Sequence, residues 1–197
     1  CLCMAPVFAV SAQAAQTIYV NGALATGDGL SAERPLNSIA AALKKARKGD
    51  VIVVAPGQYR ESLQVSVPGI TVQGSVDEDN VPLVTVLSPA AKGVAVLADS
   101  ADTVWRGVGF RLAGRGAVVL RGFTGRFERC QFTSESPVPG MDVYGGSPLF
   151  QGCTFTGGTG PDALMALNGQ AGRKSSATFA YCLFRDISGG AGLLRGE

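Results

Sequence analysis

A short pattern of large apolar residues recurs four times in the second half of the chain. The copies are Trp105-x-x-Val108-x-Phe110, Phe127-x-x-Cys130-x-Phe132, Phe150-x-x-Cys153-x-Phe155 and Phe179-x-x-Cys182-x-Phe184. They follow one another at spacings of 22, 23 and 29 residues, and an insertion at 169–176 accounts for the longest interval. Apolar residues in fixed positions at such a period are typical of a solenoid, in which each coil stacks on the previous one.

Apolar runs before and between these copies predict further strands. The runs lie at 50–55, 70–72, 84–87, 94–97, 117–120, 141–144 and 163–167. Stacked strands lie ~4.8 Å apart, and the ~150 residues beyond the first 48 provide about six coils. We therefore expect an all-β fold, a single-stranded parallel β-helix of about six coils.

The first part of the chain predicts a cap for this rod. Thr17–Val20 has the composition of a short strand, and Pro35-Leu-Asn-Ser38 predicts the start of a helix over 37–48. Lysine and arginine in its last turns suit the helix dipole, and Gly49 is expected at the C′ position. Because an open coil exposes apolar residues and unpaired backbone groups, we expect this α-helix to cover the first coil.

Residues 1–14 are interpreted as the remnant of a signal peptide. They are apolar and end in Ala12-Gln13-Ala14, a small-residue pattern typical of a signal-peptidase site. A lipidated Cys1 is the alternative. No other segment approaches the ~20 apolar residues of a membrane span. We expect a β-helix domain over 15–197 that is truncated at its C-terminus, is secreted or periplasmic, and has no transmembrane segment.

Composition and net charge exclude several classes of partner and of catalytic chemistry. The 197 residues are 46% hydrophobic and include 27 glycines, which favours one elongated domain, expected to be a monomer. Lys and Arg total 17 against 15 Asp and Glu, so the net charge of +2 gives no argument for a nucleic-acid partner. The sequence has no histidine, which removes imidazole acid-base chemistry, Ser-His nucleophiles and the usual zinc ligands.

Four stretches near the start of the chain carry a resemblance. They are Tyr19-Val-Asn-Gly22, Pro35-Leu-Asn-Ser-Ile39, Ala46-Arg-Lys-Gly-Asp-Val-Ile-Val-Val-Ala-Pro-Gly-Gln-Tyr-Arg-Glu61 and Gly69-Ile-Thr-Val-Gln-Gly74. Together they resemble the opening of secreted right-handed parallel β-helix proteins of the pectin-lyase-like superfamily, and the later coils are similar to its generic repeat. Members often place Asn at a bend, whereas this chain has Gly107, Arg129, Gly152 and Tyr181 there. We therefore expect a bend that is looser or differently bonded.

The resemblance restricts the fold more than the reaction, because the superfamily contains lyases, hydrolases, esterases, epimerases and members without known chemistry. The Asn-Thr-Asp, Asp-Asp, His-Gly and Arg-Ile-Lys motifs of its hydrolases do not occur in this sequence. Its calcium-dependent pectate lyases hold Ca²⁺ on clustered carboxylates and use an Arg or Lys as the base. Ca²⁺ is therefore implied by the resemblance only, and the catalytic residues stay unknown.

One local charge bias suggests a binding site. Six arginines and a single acid, Glu128, lie between Trp105 and Arg129. Arginine forks bind carboxylates bidentately, which suits a uronic-acid polymer. Alignment of the coils pairs Arg106 with Glu128, so we expect a coil-to-coil ion pair there. The substrate-binding candidates in this region are Arg111, Arg115 and Arg129.

Two further candidates and one acidic loop complete the polar residues of interest. Asp142 occupies an outward position of the strand at 141–144, and Tyr144 is expected at the surface with Tyr59 and Tyr181. The loop Asp77-Glu78-Asp79 is either a calcium ligand set or an acidic turn that ends a strand. Since no close run of acids supplies enough oxygens, no metal site is assigned.

The repeated cysteines and aromatic residues are expected in the core. Cys130, Cys153 and Cys182 occupy the position that Val108 holds one coil earlier. Stacked thiols ~4.8 Å apart are distant for an unstrained bridge, so free thiols are expected, with one disulfide as the alternative in an oxidising compartment. The regular aromatic columns predict core packing rather than a platform for sugars.

Three functions follow as hypotheses. The first is an exported β-helix protein that binds an acidic polysaccharide and, if catalytic, cleaves it as a lyase. The second is a non-catalytic carbohydrate-binding solenoid, and the third is a structural component of the cell envelope. Whether the protein is an enzyme stays open at this level.

Overall fold

The computed structural model is a parallel β-helix. It describes residues 14–87, 96–98, 102–112, 117–134, 140–157, 164–170, 172–187 and 194–196. The signal-peptide interpretation, which falls on residues 1–14, lies outside the described residues except for Ala14, and Arg115 also lies outside them. Within these ranges, no helix is long and apolar enough to cross a membrane.

The described residues form one helix and a series of short strands. In chain order these are β1 (Thr17–Val20), α1 (Ile39–Lys45), β2 (Val51–Val54), β3 (Gly57–Arg60), β4 (Leu63–Val65), β5 (Thr71–Gln73), β6 (Val84–Leu87), β7 (Val96–Ala98), β8 (Val104–Arg106), β9 (Val108–Leu112), β10 (Val118–Arg121), β11 (Arg126–Glu128), β12 (Gln131–Ser134), β13 (Met141–Tyr144), β14 (Leu149–Gln151), β15 (Thr154–Gly157), β16 (Met165–Asn168), β17 (Thr178–Ala180), β18 (Leu183–Arg185) and β19 (Leu194–Gly196).

Every third strand returns to the same sheet. Sheet A has the order β1-β2-β5-β8-β11-β14-β17, sheet B the order β3-β6-β9-β12-β15-β18, and sheet C the order β4-β7-β10-β13-β16-β19. All neighbours run parallel, as in β11 with β14 and β12 with β15. Strands β2 to β19 thus make six coils of three strands, which confirms the predicted solenoid, and β1 adds one strand to sheet A.

Two of the strands were missed from the sequence. The run at 50–55 was expected to end at Pro56-Gly57 with no strand before 70, yet β3 and β4 lie in that interval. In β3 only Tyr59 is buried, so the segment lacks the repeated apolar residues that a pattern search detects. Pairing with β6 supplies its backbone hydrogen-bond partners.

Aromatic rings from sheets A and B fill the later coils. The rings of Phe127 and Phe150 stack along sheet A with centroids 5.1 Å apart. Phe127 also meets Phe132 of sheet B edge to face at 5.4 Å. Sheet B repeats this stacking between Phe132 and Phe155 at 4.9 Å. The rings of Phe127, Phe132, Phe150 and Phe155 are fully buried, which confirms core packing in these coils, whereas Phe184 in the last described coil is 37% exposed.

The helix covers the first coil but is shorter than predicted. Helix α1 packs against β1, β2 and β4 and buries Ile39, Ala42 and Leu43. The hydroxyl oxygen of Ser38 caps it by accepting from the Ala41 amide at 3.1 Å. The expected extent of 37–48, with Gly49 at C′, is wrong, because the chain leaves the helix at Ala46 in an extended conformation.

A buried carboxylate explains the early end of the helix. Asp50 is only 5% exposed and accepts hydrogen bonds from the backbone amides of Arg47 at 2.8 Å and Gln16 at 2.9 Å. These bonds hold residues 47–50 in a turn that joins α1 to β2. Gly49 lies within this turn with φ +92°, a conformation that glycine adopts readily.

Candidate functional site

Strand alternation places two columns of mainly polar residues on the outer face of sheet B. The first column contains Gln58, Thr85, Gly109, Gln131, Thr154 and Leu183, and the second contains Arg60, Leu87, Arg111, Thr133, Thr156 and Arg185. The residues between these columns, such as Phe132 and Phe155, point into the core. One strand therefore serves the core and the outer surface at the same time.

The last four residues of the second column place a guanidinium group on each side of two hydroxyl groups. Arg111, Thr133, Thr156 and Arg185 stand in register on four consecutive strands. Both arginines are exposed, and both threonines are partly exposed. Three strand spacings separate the arginines, a distance of about 14 Å along the rod. This charged and hydroxylated column is called the Arg111–Arg185 column below.

A loop before β6 forms one wall of a groove beside this column. Val76 and Pro82 pair as an antiparallel bridge at the base of the loop. An Oδ1 atom of Asp77 accepts from the amides of Asp79 at 3.0 Å and Val81 at 2.8 Å. The acidic segment is therefore organised as a turn by its own carboxylate, which supports the interpretation as an acidic turn.

The outward position of Gly109 faces strand β6 and this loop. A Cβ added at Gly109 would lie 3.3 Å from the Val84 carbonyl oxygen, which is a tight contact, and 3.8 Å from the Pro82 Cβ, which is an ordinary van der Waals contact. A side chain longer than that of alanine would therefore reach the loop.

The groove that results has a volume of about 630 Å³. Asp79, Asn80, Val81 and Pro82 form the loop wall, Gln131, Thr154 and Thr156 lie on sheet B, and Leu183, Arg185 and Asp186 close the far end. Hydroxyl and amide groups of this kind donate and accept hydrogen bonds without bearing charge.

Two of the clustered arginines are engaged in an ion-pair network on sheet A. Arg106 and Glu128 are in register on neighbouring strands, and the Arg106 Nη2 lies 2.7 Å from the Glu128 Oε2. The Nε of Arg126 lies 2.9 Å from the Oε1 of the same carboxylate. The expected coil-to-coil pair is confirmed. Because these groups are partly exposed, each pair contributes less than about 1 kcal/mol.

The site residues predicted from the sequence do not share one face. Arg111 lies on sheet B, Arg129 follows β11 at the bend between sheets A and B, and Asp142 and Tyr144 lie on sheet C. Arg115 lies outside the described residues. Among the four candidates that the structure describes, only Arg111 belongs to a column beside the groove.

Asp142 occupies the expected outward position but is largely covered. Register confirms that Asp142 is on the outer side of sheet C, in line with Val119. Both residues are nevertheless only 8% exposed. Alternation determines the side of a sheet on which a residue lies, but not whether other parts of the chain cover that side. Tyr144 is partly exposed and stands in register with Arg121 and Asn168.

The three tyrosines expected at the surface differ. Tyr181 is 93% exposed, as expected. Tyr59 is only 4% exposed, so the expectation for it is wrong. Its hydroxyl donates to the Ala55 carbonyl oxygen at 2.9 Å and accepts from the Gly22 amide at 3.3 Å. Burial raises the pKa of Tyr59 above its usual value.

The cysteine column consists of free thiols, as expected. Each thiol donates to the carbonyl oxygen of an aromatic residue one coil earlier: Cys130 to Trp105 at 3.4 Å, Cys153 to Phe127 at 3.3 Å and Cys182 to Phe150 at 3.4 Å. Burial raises the pKa of the Cys130 thiol well above its usual value. Because the reactive form is the thiolate, a core role fits this thiol.

No group of three or more His, Cys, Asp or Glu side chains in the described part of the chain is arranged to hold a metal ion.

The residues that sequence reasoning missed are Gln131, Thr133, Thr156 and Arg185. A simple signal was available for the last three, because the position directly after the second aromatic residue of each repeat holds Arg111, Thr133, Thr156 or Arg185. Counting one residue beyond the repeat would have located this column.

The stacked sheets and the open face of sheet B define a parallel β-helix protein with a polar lateral groove. Comparison of the sequence with family models and with curated proteins gives no match.

Proposed function

We propose that this chain is an exported β-helix protein that binds an acidic polysaccharide along the outer face of sheet B. The observation that carries this proposal is the Arg111–Arg185 column, in which two exposed guanidinium groups flank two threonines beside an open groove. The resemblance of residues 17–74 to secreted pectin-lyase-like proteins supports the same class of ligand, and the small residues at 12–14 support export.

The spacing of groups on this face suits a repeating polymer. Parallel strands repeat every ~4.8 Å, so Gln131 and Thr154 offer hydrogen-bonding groups one strand spacing apart along the rod, and Thr156 adds a third group two residues beyond Thr154 on the same strand. Sugar hydroxyls are matched donors and acceptors for such groups. The groove also remains open at the surface, which lets an extended chain lie along it.

The two arginines of the column favour a polymer that carries carboxylates. Guanidinium groups bind carboxylates through two parallel hydrogen bonds, and the backbones of Arg111 and Arg185 stand about 14 Å apart, with Arg185 in the groove lining and Arg111 outside it. Asp79 and Asp186 also line the groove, where their carboxylates accept hydrogen bonds from sugar hydroxyls. Specificity for an acidic chain therefore depends on the arginines rather than on net charge.

The proposal is confined to binding. The floor residues Gln131, Thr154 and Thr156 donate and accept hydrogen bonds, whereas the edges of the groove carry the carboxylates of Asp79 and Asp186, which can accept a proton. Lyase activity is therefore a separate outcome of the experiment below and is not part of the proposal.

Calorimetric titration with oligogalacturonate, and with a neutral galactan oligosaccharide of equal length, tests the proposal. We expect the acidic ligand to bind, and the affinity to fall as salt is raised. Replacement Arg185→Gln should weaken binding about tenfold, equivalent to about 1.4 kcal/mol. Arg121→Gln is the matched control, because Arg121 is an exposed arginine at the end of a sheet C strand.

Equal affinity for the acidic and neutral ligands would contradict the role of the arginines, and failure of both to bind would contradict the proposed function. Appearance of ultraviolet-absorbing unsaturated uronate in the same samples would show that the protein also cleaves the polymer.

A further inference from the structure

The bend between sheets A and B repeats one unusual backbone conformation. Gly107, Arg129, Gly152 and Tyr181 have φ values of 61°, 51°, 60° and 55°, all in the left-handed region. A backbone ladder continues through the bend, with hydrogen bonds from the amide of Arg129 to the Gln151 carbonyl at 2.9 Å and from the amide of Gly152 to the Ala180 carbonyl at 2.8 Å. The bend is thus regular and is bonded through its backbone.

Two of these four positions hold residues that disfavour this conformation. Glycine adopts it freely, whereas a side chain such as that of Arg129 or Tyr181 makes it strained. Tyr181 is 93% exposed and Arg129 is also exposed, so burial does not account for their selection. Strained residues that fold stability does not explain are a recognised indication of a functional site.

The two strained residues flank a pocket. Glu128, Arg129, Gln151, Gly152 and Tyr181 line a volume of about 350 Å³. Gly152 stands between Arg129 and Tyr181 in the stack, and a Cβ added there would lie 3.7 Å from the Arg129 Cγ. The space beside the Arg129 stem therefore exists because residue 152 has no side chain. Arg129 and Tyr181 each lie one strand spacing from Gly152, so their Cα atoms are about 10 Å apart.

The lining groups match a single acidic sugar. The Arg129 guanidinium offers two parallel hydrogen bonds to a carboxylate, and the exposed Tyr181 ring offers an apolar surface with a polar tip. The Gln151 amide donates to and accepts from hydroxyls. Glu128 does not oppose an anion here, because its two oxygens lie 2.7 and 2.9 Å from nitrogens of Arg106 and Arg126.

We propose that this bend pocket binds one hexuronate residue of the polysaccharide, with the carboxylate on Arg129 and the ring on Tyr181. Gly152 lines both the bend pocket and the groove on sheet B, so the two spaces are contiguous. The inference rests on the proposed function, and it makes the bend pocket a second recognition point for acid sugars.

Replacement Gly152→Asn fills the pocket without a change of backbone conformation, because Asn tolerates positive φ better than other residues. We expect this variant to bind a short oligogalacturonate at least tenfold more weakly in calorimetric titration, with an unchanged melting temperature. The matched control is Gly122→Asn, since Gly122 has φ +57° and no atom lies within 4 Å of an added Cβ. Affinity in the control should equal that of the wild type.

Arg129→Gly provides a second variant that does not touch the groove, because Arg129 is not among the groove residues. It should weaken the acidic ligand about tenfold and leave any binding of the neutral oligosaccharide unchanged. Unchanged acidic affinity in both Gly152→Asn and Arg129→Gly, with Arg185→Gln weakened, would overturn the bend pocket and leave the groove. Absence of binding in the wild type would overturn both.

Discussion

The interior of the rod and the outer face of sheet B are built by the same strands but obey different requirements. Inside sheet B, one column repeats a single residue type in Phe110, Phe132, Phe155 and Phe184. One residue further along each strand, the outer column changes from Arg111 to Thr133 and Thr156 and back to Arg185. Stacking requires that neighbours inside have matched size and shape, whereas solvent outside accepts any polar residue. The interior therefore specifies the fold, whereas residues on the outer face can change from coil to coil without loss of the stack.

The largest effect that separates the two regions is expected from truncation of one interior ring. Phe132 is fully buried and its ring stacks between those of Phe110 and Phe155 at 5.1 and 4.9 Å. Phe132→Ala should lower the free energy of unfolding by about 3–5 kcal/mol, since a cavity remains between rigid coils. Its neighbour provides the control, because Thr133→Ala should change that free energy by less than about 0.5 kcal/mol. Urea unfolding monitored by circular dichroism gives both values, and a similar loss in the two variants would contradict the division.

The interior was also the region that sequence reasoning predicted best. The aromatic repeat alone predicted the number of coils and the core columns, because identical residues at a fixed period can be buried only by stacking. The pattern failed for β3, where Tyr59 is the only buried residue. It also failed for the end of α1, because the carboxylate of Asp50 turns the chain at a point where residue periodicity would continue the helix.

The candidate site was predicted less well for a physical reason. The repeat alignment did place Arg129 and Tyr181 at one bend, together with Gly107 and Gly152. It did not reveal the left-handed conformation of that bend, because residue type does not indicate a positive φ when the position holds Arg or Tyr instead of Gly. Asp142 illustrates the converse, because it occupies an outward position in the register and is still buried.

A smaller effect should appear at alkaline pH from the buried thiol of Cys130. Burial raises its pKa in the folded state, whereas the unfolded thiol ionises near pH ~8.5. Above that pH the unfolded state has lost the proton that the folded state retains, so stability falls as pH rises. A single such thiol contributes at most about 1.4 kcal/mol per pH unit.

The variant that checks this is Cys130→Val, because Val108 occupies the same position one coil earlier and shows that the site accepts a valine. The fall in the free energy of unfolding between pH 8 and pH 10 should be smaller in the variant than in the wild type, by roughly the contribution of one thiol. Urea titrations at the two pH values give this difference. An identical fall in both proteins would show that the Cys130 thiol ionises equally in the folded and unfolded states.

The smallest effect is expected at the bend, where an exposed residue has a strained backbone conformation. Here a substitution should raise the free energy of unfolding instead of lowering it. Arg129 has φ 51°, and removal of its side chain relieves the strain of the left-handed conformation. Arg129→Gly should therefore raise the free energy of unfolding by up to about 1 kcal/mol. The same change at Arg126, which lies in β11 and pairs with Glu128 at 2.9 Å, should lower it, because glycine weakens a strand and the ion pair is lost. Thermal unfolding of the two variants measures both signs. A gain in stability at position 129, together with the loss of acidic-sugar affinity, would mean that Arg129 is retained for a ligand at the expense of the fold, whereas a loss of stability there would assign it a structural role.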